Sequence, residues 1–202
     1  MHILDPDWIY ARDFNSIADK ILNSCLLNLK GHRYRICEIE MYFKSKGHDD
    51  LYVHNAPDLY EYHNVYFHKF PCGSFKGGNY KGFGPTFGSK EDGRMFGVLI
   101  RAIEDVLTHE FIQGPSKVVD RVLSHYNCVK VAELYNMFEF TSILHPKAPV
   151  RIEIDAELIQ KKIHKGPRIG LSDKYPVYRD LPYRYAIYVD KIKKKKKSLI
   201  EI

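Results

Sequence analysis

Glu38 and Glu40 stand two residues apart in the segment Arg33 to Phe43, whose Tyr, Ile and Phe content predicts a β-strand. Side chains alternate across a strand. Cys37, Ile39, Met41 and Phe43 are therefore expected on one face, with Tyr34, Ile36, Glu38, Glu40 and Tyr42 on the other. On a face open to water the two carboxylates would be ordinary surface charge, and spacing alone favours that arrangement. In a cleft, burial and mutual repulsion would drive their pKa values apart, leaving one as a base toward water and the other in a structural part. Arg101 interrupts the apolar run Val98-Leu99-Ile100-Arg101-Ala102-Ile103. A cation inside a central strand needs a partner, which Glu38 or Glu40 would supply, and a structural ion pair is its simplest form. Gly114-Pro115-Ser116-Lys117 opens a predicted helix, where exposed N–H groups, the macrodipole and Lys117 together favour an anion.

Aromatic residues are abundant, with 15 tyrosines and 11 phenylalanines. Tyr42, Tyr52, Tyr60, Tyr62, Tyr66 and Tyr80 fall in or near the loops between the two main strands, where rings around a cleft would suit stacking on a base. Core packing must account for most of the others. His63, His68 and Cys72 lie close in sequence, but their spacing fits no standard zinc pattern, so no metal is expected. Gly73 to Gly88 holds six glycines and reads as an ordered loop or hairpin. Its spacing matches neither a dinucleotide fingerprint nor a phosphate loop.

These residues need a scaffold, and 202 residues provide one domain. Hydrophobic residues at 45% and charged residues at 28% are globular values. No apolar run approaches the ~20 residues of a membrane span, and the start Met1-His2-Ile3-Leu4 lacks the form of a secretory leader. Cys25, Cys37, Cys72 and Cys128 are far apart and read as reduced thiols, pointing to the cytoplasm or nucleus. The net charge of +6 is unevenly placed. Residues 191–202 carry six lysines and one glutamate, a balance of +5, which leaves +1 for residues 1–190. The chain therefore divides into a body, 1–190, and a lysine-rich C-terminal tail, 191–202. That tail is either a phosphate-seeking arm or nuclear address, or a solvated, frayed terminus.

Apolar spacing predicts a helix from Ser16 to Leu29, started by Asn15 or Ser16 and stopped by Gly31. Residues 44–58 read as loop, and Asp58 to Pro71 contains a strand. Arg94 to Ile103 is a strong, central strand. A helix follows from Gly114-Pro115 to about Tyr126, and a short one covers Lys130 to Tyr135. Residues 139–157 read as strands and turns, and Arg184 to Val189 as a last strand. The mixed order points to an α+β class with a mostly antiparallel sheet.

In order as well as in kind, these pieces resemble the methylpurine (alkyladenine, 3-methyladenine) DNA glycosylases. That family has a helix, then a strand of the form Val-Glu-Thr-Glu-Ala-Tyr; here it reads Ile36-Cys37-Glu38-Ile39-Glu40-Met41-Tyr42. A pocket histidine after an acidic loop is matched by Asp49-Asp50-Leu51-Tyr52-Val53-His54. The family's Val-Leu-Leu-Arg-Ala is matched by Val98 to Ala102, and its Gly-Pro-Ser-Lys by Gly114 to Lys117. Its Arg-Val-Gly and Pro-Leu-Arg-Phe-Tyr-Val are echoed by Arg168-Ile169-Gly170 and Leu181-Pro182-Tyr183-Arg184-Tyr185. The likeness spans roughly residues 16–190.

The resemblance implies a compact α+β domain with a curved antiparallel sheet and flanking helices. It implies hydrolysis of the bond between a flipped-out purine and its sugar, without metal or other cofactor. Glu40 would activate the attacking water and Arg101 would orient it. Tyr42 and His54 would contact the base beside Glu38. The family's wedge hairpin is replaced by Gly73 to Gly84, where Tyr80 stands as the candidate wedge and Gly77, Gly78 and Lys81, with Gly114, Ser116 and Lys117, as candidate phosphate contacts. The expected partner is nucleic acid, DNA before RNA, met by a monomer and without a membrane. Two other readings stay open: the same chemistry on a free nucleoside, nucleotide or RNA base, and a non-catalytic binding module on a retired enzyme fold.

Overall fold

The computed structural model describes residues 3–202; Met1 and His2, where the segment read for a leader begins, lie outside the described residues. Helices α1 (Pro6–Ala11) and α2 (Phe14–Ser24) lead into strands β1 (Cys25–Leu29), β2 (His32–Ser45) and β3 (His48–Asp49). Strands β4 (Tyr62–Phe67), β5 (Phe83–Phe87), β6 (Met95–Asp105) and β7 (Phe111–Gln113) follow, then helices α3 (Pro115–His125) and α4 (Val131–Tyr135). The C-terminal third holds β8 (Val150–Ile154), β9 (His164–Gly166), α5 (Pro176–Arg179), β10 (Arg184–Ala186) and β11 (Ile200–Glu201). The sheet runs β11-β9-β10-β2-β6-β5-β4, and its paired strands are antiparallel. This is the α+β class expected from the element order. No helix among the described residues is long and apolar enough to cross a membrane.

Asp13 caps α2, its side chain accepting from the Ser16 amide at 3.1 Å, so the helix starts before Asn15. Phe14, Ile17, Ala18, Ile21 and Leu22 give it a buried face against the sheet. It ends at Ser24, and Cys25 to Leu29, expected to prolong it, form a strand instead. All five residues of that strand are buried between β2 and β8. A short, fully buried run is the case in which helical and extended periodicity look alike. Lys30 and Gly31 make the two-residue hairpin turn into β2, with φ of 54° and 92°. Two positive φ values are the mark of a type I′ turn, whose twist suits a hairpin.

The pairing of β2 with β6 passes over Cys37 on one strand and Arg101 on the other. These paired irregularities correct the expected alternation. Tyr34 and Ile36 join Ile39, Met41 and Phe43 in the main core, while Glu38, Glu40 and Tyr42 face away from it. A bulge reverses which side of the sheet a strand presents, and here it separates core from site within one strand.

The lysine-rich terminus is not frayed. Ile192 and Leu199 are buried with Ala186, and β11 pairs with β9. Gly166 lets this return path lie close, since a Cβ there would stand 2.2 Å from the Ser198 carbonyl oxygen. In the glycine-rich stretch Gly82 and Gly84 pack tightly against neighbouring elements. A Cβ on Gly82 would meet the His68 ring at 2.7 Å, and one on Gly84 would meet the Val98 carbonyl oxygen at 1.7 Å. Gly84→Ala should therefore cost about 2 kcal/mol or more of unfolding free energy by forcing β5 from β6. Chemical denaturation measures it, and an unchanged midpoint would refute the close approach.

Candidate functional site

On the sheet face opposite the main core, six charged side chains are buried together: Glu38, Glu40 and Asp50 against Arg101, Arg168 and Arg184. Glu38 and Glu40 are both 0% exposed, so the surface arrangement that spacing favoured does not hold. The β6 irregularity turns Arg101 onto this face. Its Nε donates to Glu38 Oε1 at 3.0 Å, and its Nη1 lies 3.2 Å from Glu40 Oε2. Arg184, from β10, donates through Nε to the same Glu38 Oε1 at 2.8 Å. Burial works against the Arg101 charge, but Glu40 and Glu38 override it and hold the guanidinium protonated.

Glu40 accepts three further or shared contacts that fix its carboxylate. The Ile169 amide donates to Oε1 at 2.7 Å, and the Tyr42 hydroxyl donates to Oε2 at 3.0 Å beside Arg101. A carboxylate has about four lone-pair directions, so one remains for a water. Burial, then the neighbouring Glu40 charge, raises the Tyr42 pKa well above its ordinary value, which keeps the hydroxyl a donor. Ile169 is placed by Arg168, whose Nη1 donates to Asp50 Oδ2 at 2.6 Å and whose Nη2 donates to the Tyr178 carbonyl at 2.8 Å. The Arg168 guanidinium also stacks over Tyr42, with its carbon 4.6 Å from the ring centroid.

In front of Tyr42 opens a cavity of about 230 Å³. Its walls include Tyr42, Tyr52, His54, Tyr66, His68 and Phe83, and Gly170 to Ser172 close one side. Tyr52 ties that side down, its hydroxyl donating to the Ser172 carbonyl at 2.5 Å and accepting from the Tyr175 amide at 3.0 Å. The His54 and His68 rings meet edge to face at 4.7 Å. His54 Nδ1 lies 3.1 Å from the Tyr66 hydroxyl, and Nε2 lies 3.4 Å from Lys76 Nζ. Burial, then Lys76, pushes the His54 pKa down to about 4; burial, then His54 and Lys76, pushes that of His68 down to about 3. The cavity thus presents neutral, flat, polar-edged rings.

The structure brings Glu38, Glu40, Arg101 and Tyr42 into one hydrogen-bonded cluster; of these Tyr42 alone lines the cavity, where His54 joins it, and the other candidates lie elsewhere. Tyr80 is 76% exposed on a 3-10 turn with Gly78, and Gly77 is likewise exposed. Lys81 forms an ion pair with Asp120 of α3. The Gly114 amide is not open to an anion, because it donates to the Arg101 carbonyl at 2.7 Å; Ser116 is partly buried and Lys117 exposed. Of the six loop tyrosines, Tyr42, Tyr52 and Tyr66 line the cavity, while Tyr62 packs against the main core and Tyr60 against Leu59 and Met95. His63 packs beside Tyr62 and Phe87, apart from the role of His68 in the cavity wall, and Cys72 contacts Ser74. Sequence reasoning assigned no role to Arg184, Arg168 or Asp50. The signals available were the segments Asp49-Asp50 and Arg168-Ile169-Gly170 of the resemblance, and an arginine among tyrosines and apolar residues in Pro182-Tyr183-Arg184-Tyr185-Ala186.

Two outcomes follow from this geometry. Arg184→Gln should destabilise the protein by about 3–5 kcal/mol, because Glu38 stays buried with one guanidinium fewer, and Glu38→Gln combined with Arg184→Met should recover part of that loss in the same denaturation assay. In the unfolded chain His54 and His68 protonate near pH 6.5. Their depressed folded values mean that the unfolded state binds more protons between about pH 6.5 and 4. Stability is complete above that window and falls as pH drops through it. The thermal midpoint of a His54→Asn, His68→Asn variant should fall less steeply from pH 7 to pH 4.5 than that of the parent.

Comparison with known proteins finds no matching family model. An uncharacterized protein of Acanthamoeba polyphaga mimivirus, L759, is 38% identical over 200 residues, covering 94% of this chain and 92% of the viral protein. Identity at that level over nearly the whole of both chains shows common descent, and the chain belongs to the family of this mimivirus protein.

Proposed function

We propose that the protein hydrolyses an N-glycosidic bond, releasing a purine base from nucleic acid in the manner of the methylpurine DNA glycosylases. The observation that carries this reading is Glu40, held by Arg101, Tyr42 and the Ile169 amide directly behind the wall of an aromatic cavity. The segments that carry the family resemblance, far apart in sequence, supply this one site: β2 gives Glu40, the acidic loop gives Asp50 and His54, β6 gives Arg101, and residues 168–170 and 184 give the remaining contacts.

The chemistry assigns each group a task. A flipped purine enters the cavity between Tyr42 and the histidine wall, with its sugar toward Glu40. Glu40 takes a proton from a water held on its remaining lone pair. The water oxygen bonds to the anomeric carbon as the bond to the base nitrogen breaks. The base leaves with that electron pair, and an abasic sugar remains. Arg101 keeps the carboxylate oriented and offsets charge next to the reacting water. A cavity of about 230 Å³ lies below the ~300–1,000 Å³ typical of drug-sized ligands, and suits a single ring system. Tyr80, exposed on its turn, is our candidate for filling the gap that a flipped nucleotide leaves.

Gly170 to Ser172, which close one side of the cavity, favour a second substrate for the same chemistry, a free purine nucleoside. Single-turnover base release distinguishes the two. The substrates are hypoxanthine- or alkyladenine-containing duplex, single strand and RNA, together with inosine. Release is expected from at least one, with Glu40→Gln slowing it by about 10²-fold or more at unchanged fold. No release from any substrate, or equal release by Glu40→Gln, sinks the hydrolase reading.

A further inference from the structure

We infer that residues 193–197 form an ordered binding strap for the phosphate backbone of a nucleic acid, built onto the same sheet face as the buried carboxylates. The inference rests on the nucleic-acid part of the proposed function, and it concerns a surface which that chemistry does not use.

Lys193 to Lys197 are all exposed, yet the backbone beneath them is fixed from the interior. Arg184 Nη2 donates to the Lys194 carbonyl at 3.0 Å and Nη1 to the Lys195 carbonyl at 3.2 Å, while its Nε holds Glu38. Gln113 accepts from the Lys193 amide at 3.0 Å and reaches Glu38 Oε2 at 3.4 Å through its Nε2. Ile192 and Leu199 anchor the two ends in an apolar cluster. Lys195 holds a left-handed φ of 46°, a conformation unfavourable for a non-glycine residue and so in need of such support. A frayed tail would have none of these contacts.

The lysine charges are left for an outside partner. Among the described residues none of Lys193 to Lys197 has an acidic group within salt-bridge distance. Of the acids nearby, Glu104 is taken by Lys191, and Asp180, whose pKa is lowered first by Arg179 and only later by Lys195, is paired with Arg179. Five adjacent cations on a fixed turn, beside a body of nearly neutral charge, suit a repeating anion. The position selects the kind. Glu38 lies under the strap and Tyr42 lies at the cavity, four residues along one strand, or about 13 Å at ~3.3 Å per residue. A strand with one base in the cavity would carry its next phosphates across Arg101 toward these lysines. The closed turn also differs from the extended lysine run that a transport receptor would read.

The test uses the full chain and a fluorescein-labelled single-stranded oligonucleotide, with affinity read by anisotropy across a salt series. Lys193→Gln, Lys195→Gln and Lys196→Gln together keep the carbonyls that Arg184 holds. This triple variant should bind at least tenfold more weakly and lose about two units of slope in log affinity against log salt, near 0.7 per phosphate contact. Lys90→Gln, Lys130→Gln and Lys147→Gln together remove equal charge elsewhere and should leave both values near the parent. Near-ultraviolet circular dichroism checks that each variant is folded. Equal weakening in both triples would reduce the effect to net charge and overturn the strap. So would unchanged binding in the strap variant, or capture by anionic phosphatidylserine vesicles in place of the oligonucleotide. Base release is read separately. Strap-dependent binding without release removes the hydrolase and keeps the strap, and release without strap dependence does the reverse.

Discussion

Glu38 is out of reach of water, and one of its oxygens receives two guanidinium groups, from Arg101 on β6 and Arg184 on β10. Burying a carboxylate costs several kcal/mol unless compensated, and removing either partner exposes that cost. The arrangement therefore locks three neighbouring strands into one register. β2 cannot slip against β6 or β10 without stranding a charge in an apolar interior. Everything else on this face is hung from that lock. Arg101 reaches on to Glu40, and Arg184 reaches on to the backbone of the C-terminal segment.

A second layer holds the Glu40 carboxylate. Glu40 receives a backbone amide from residue 169, whose position depends on the Arg168–Asp50 pair and on tyrosine rings stacked around that guanidinium. The cavity wall at Gly170 to Ser172 belongs to the same segment. The group that holds the carboxylate and the group that shapes the pocket are thus adjacent in the chain. Small errors in one would be felt in the other, which is the kind of precision that positioned catalysis needs.

Much of this was readable from residues alone. Pro115 and the Gly114 before it mark the start of α3, and the apolar run of β6 marks a central strand; a charge at Arg101 in such a run requires a partner, and the glutamates of β2 provide it. The strand β1 was hidden because five consecutive buried residues carry no period that separates strand from helix. The exchange of faces at Cys37 was hidden because a bulge leaves no composition signal. It decides that Tyr34 and Ile36 lie in the core while Glu38 does not. The lysine run looked like a free arm because its anchors are two apolar residues and the carbonyl acceptors of its own backbone, and a charge count sees neither. Arg184 and Arg168 were visible as residues, but their partners lie more than a hundred positions away, a distance that pattern reading does not bridge.

Those long separations bear on how the molecule comes into being. The β1–β2 hairpin can close as soon as its turn is made, whereas β2 gains its β6 partner some sixty residues later and its β10 partner about 145 residues later. During synthesis Glu38 therefore waits, first wholly uncompensated and then held by Arg101 alone, until Arg184 comes into place. Contacts of such sequence distance form slowly, because loop closure precedes any gain. The carboxylates become buried last, and a ribosome-bound or shortened chain lacking β10 would hold its sheet half open, with the β2 edge that β10 covers unpaired and free to find another strand.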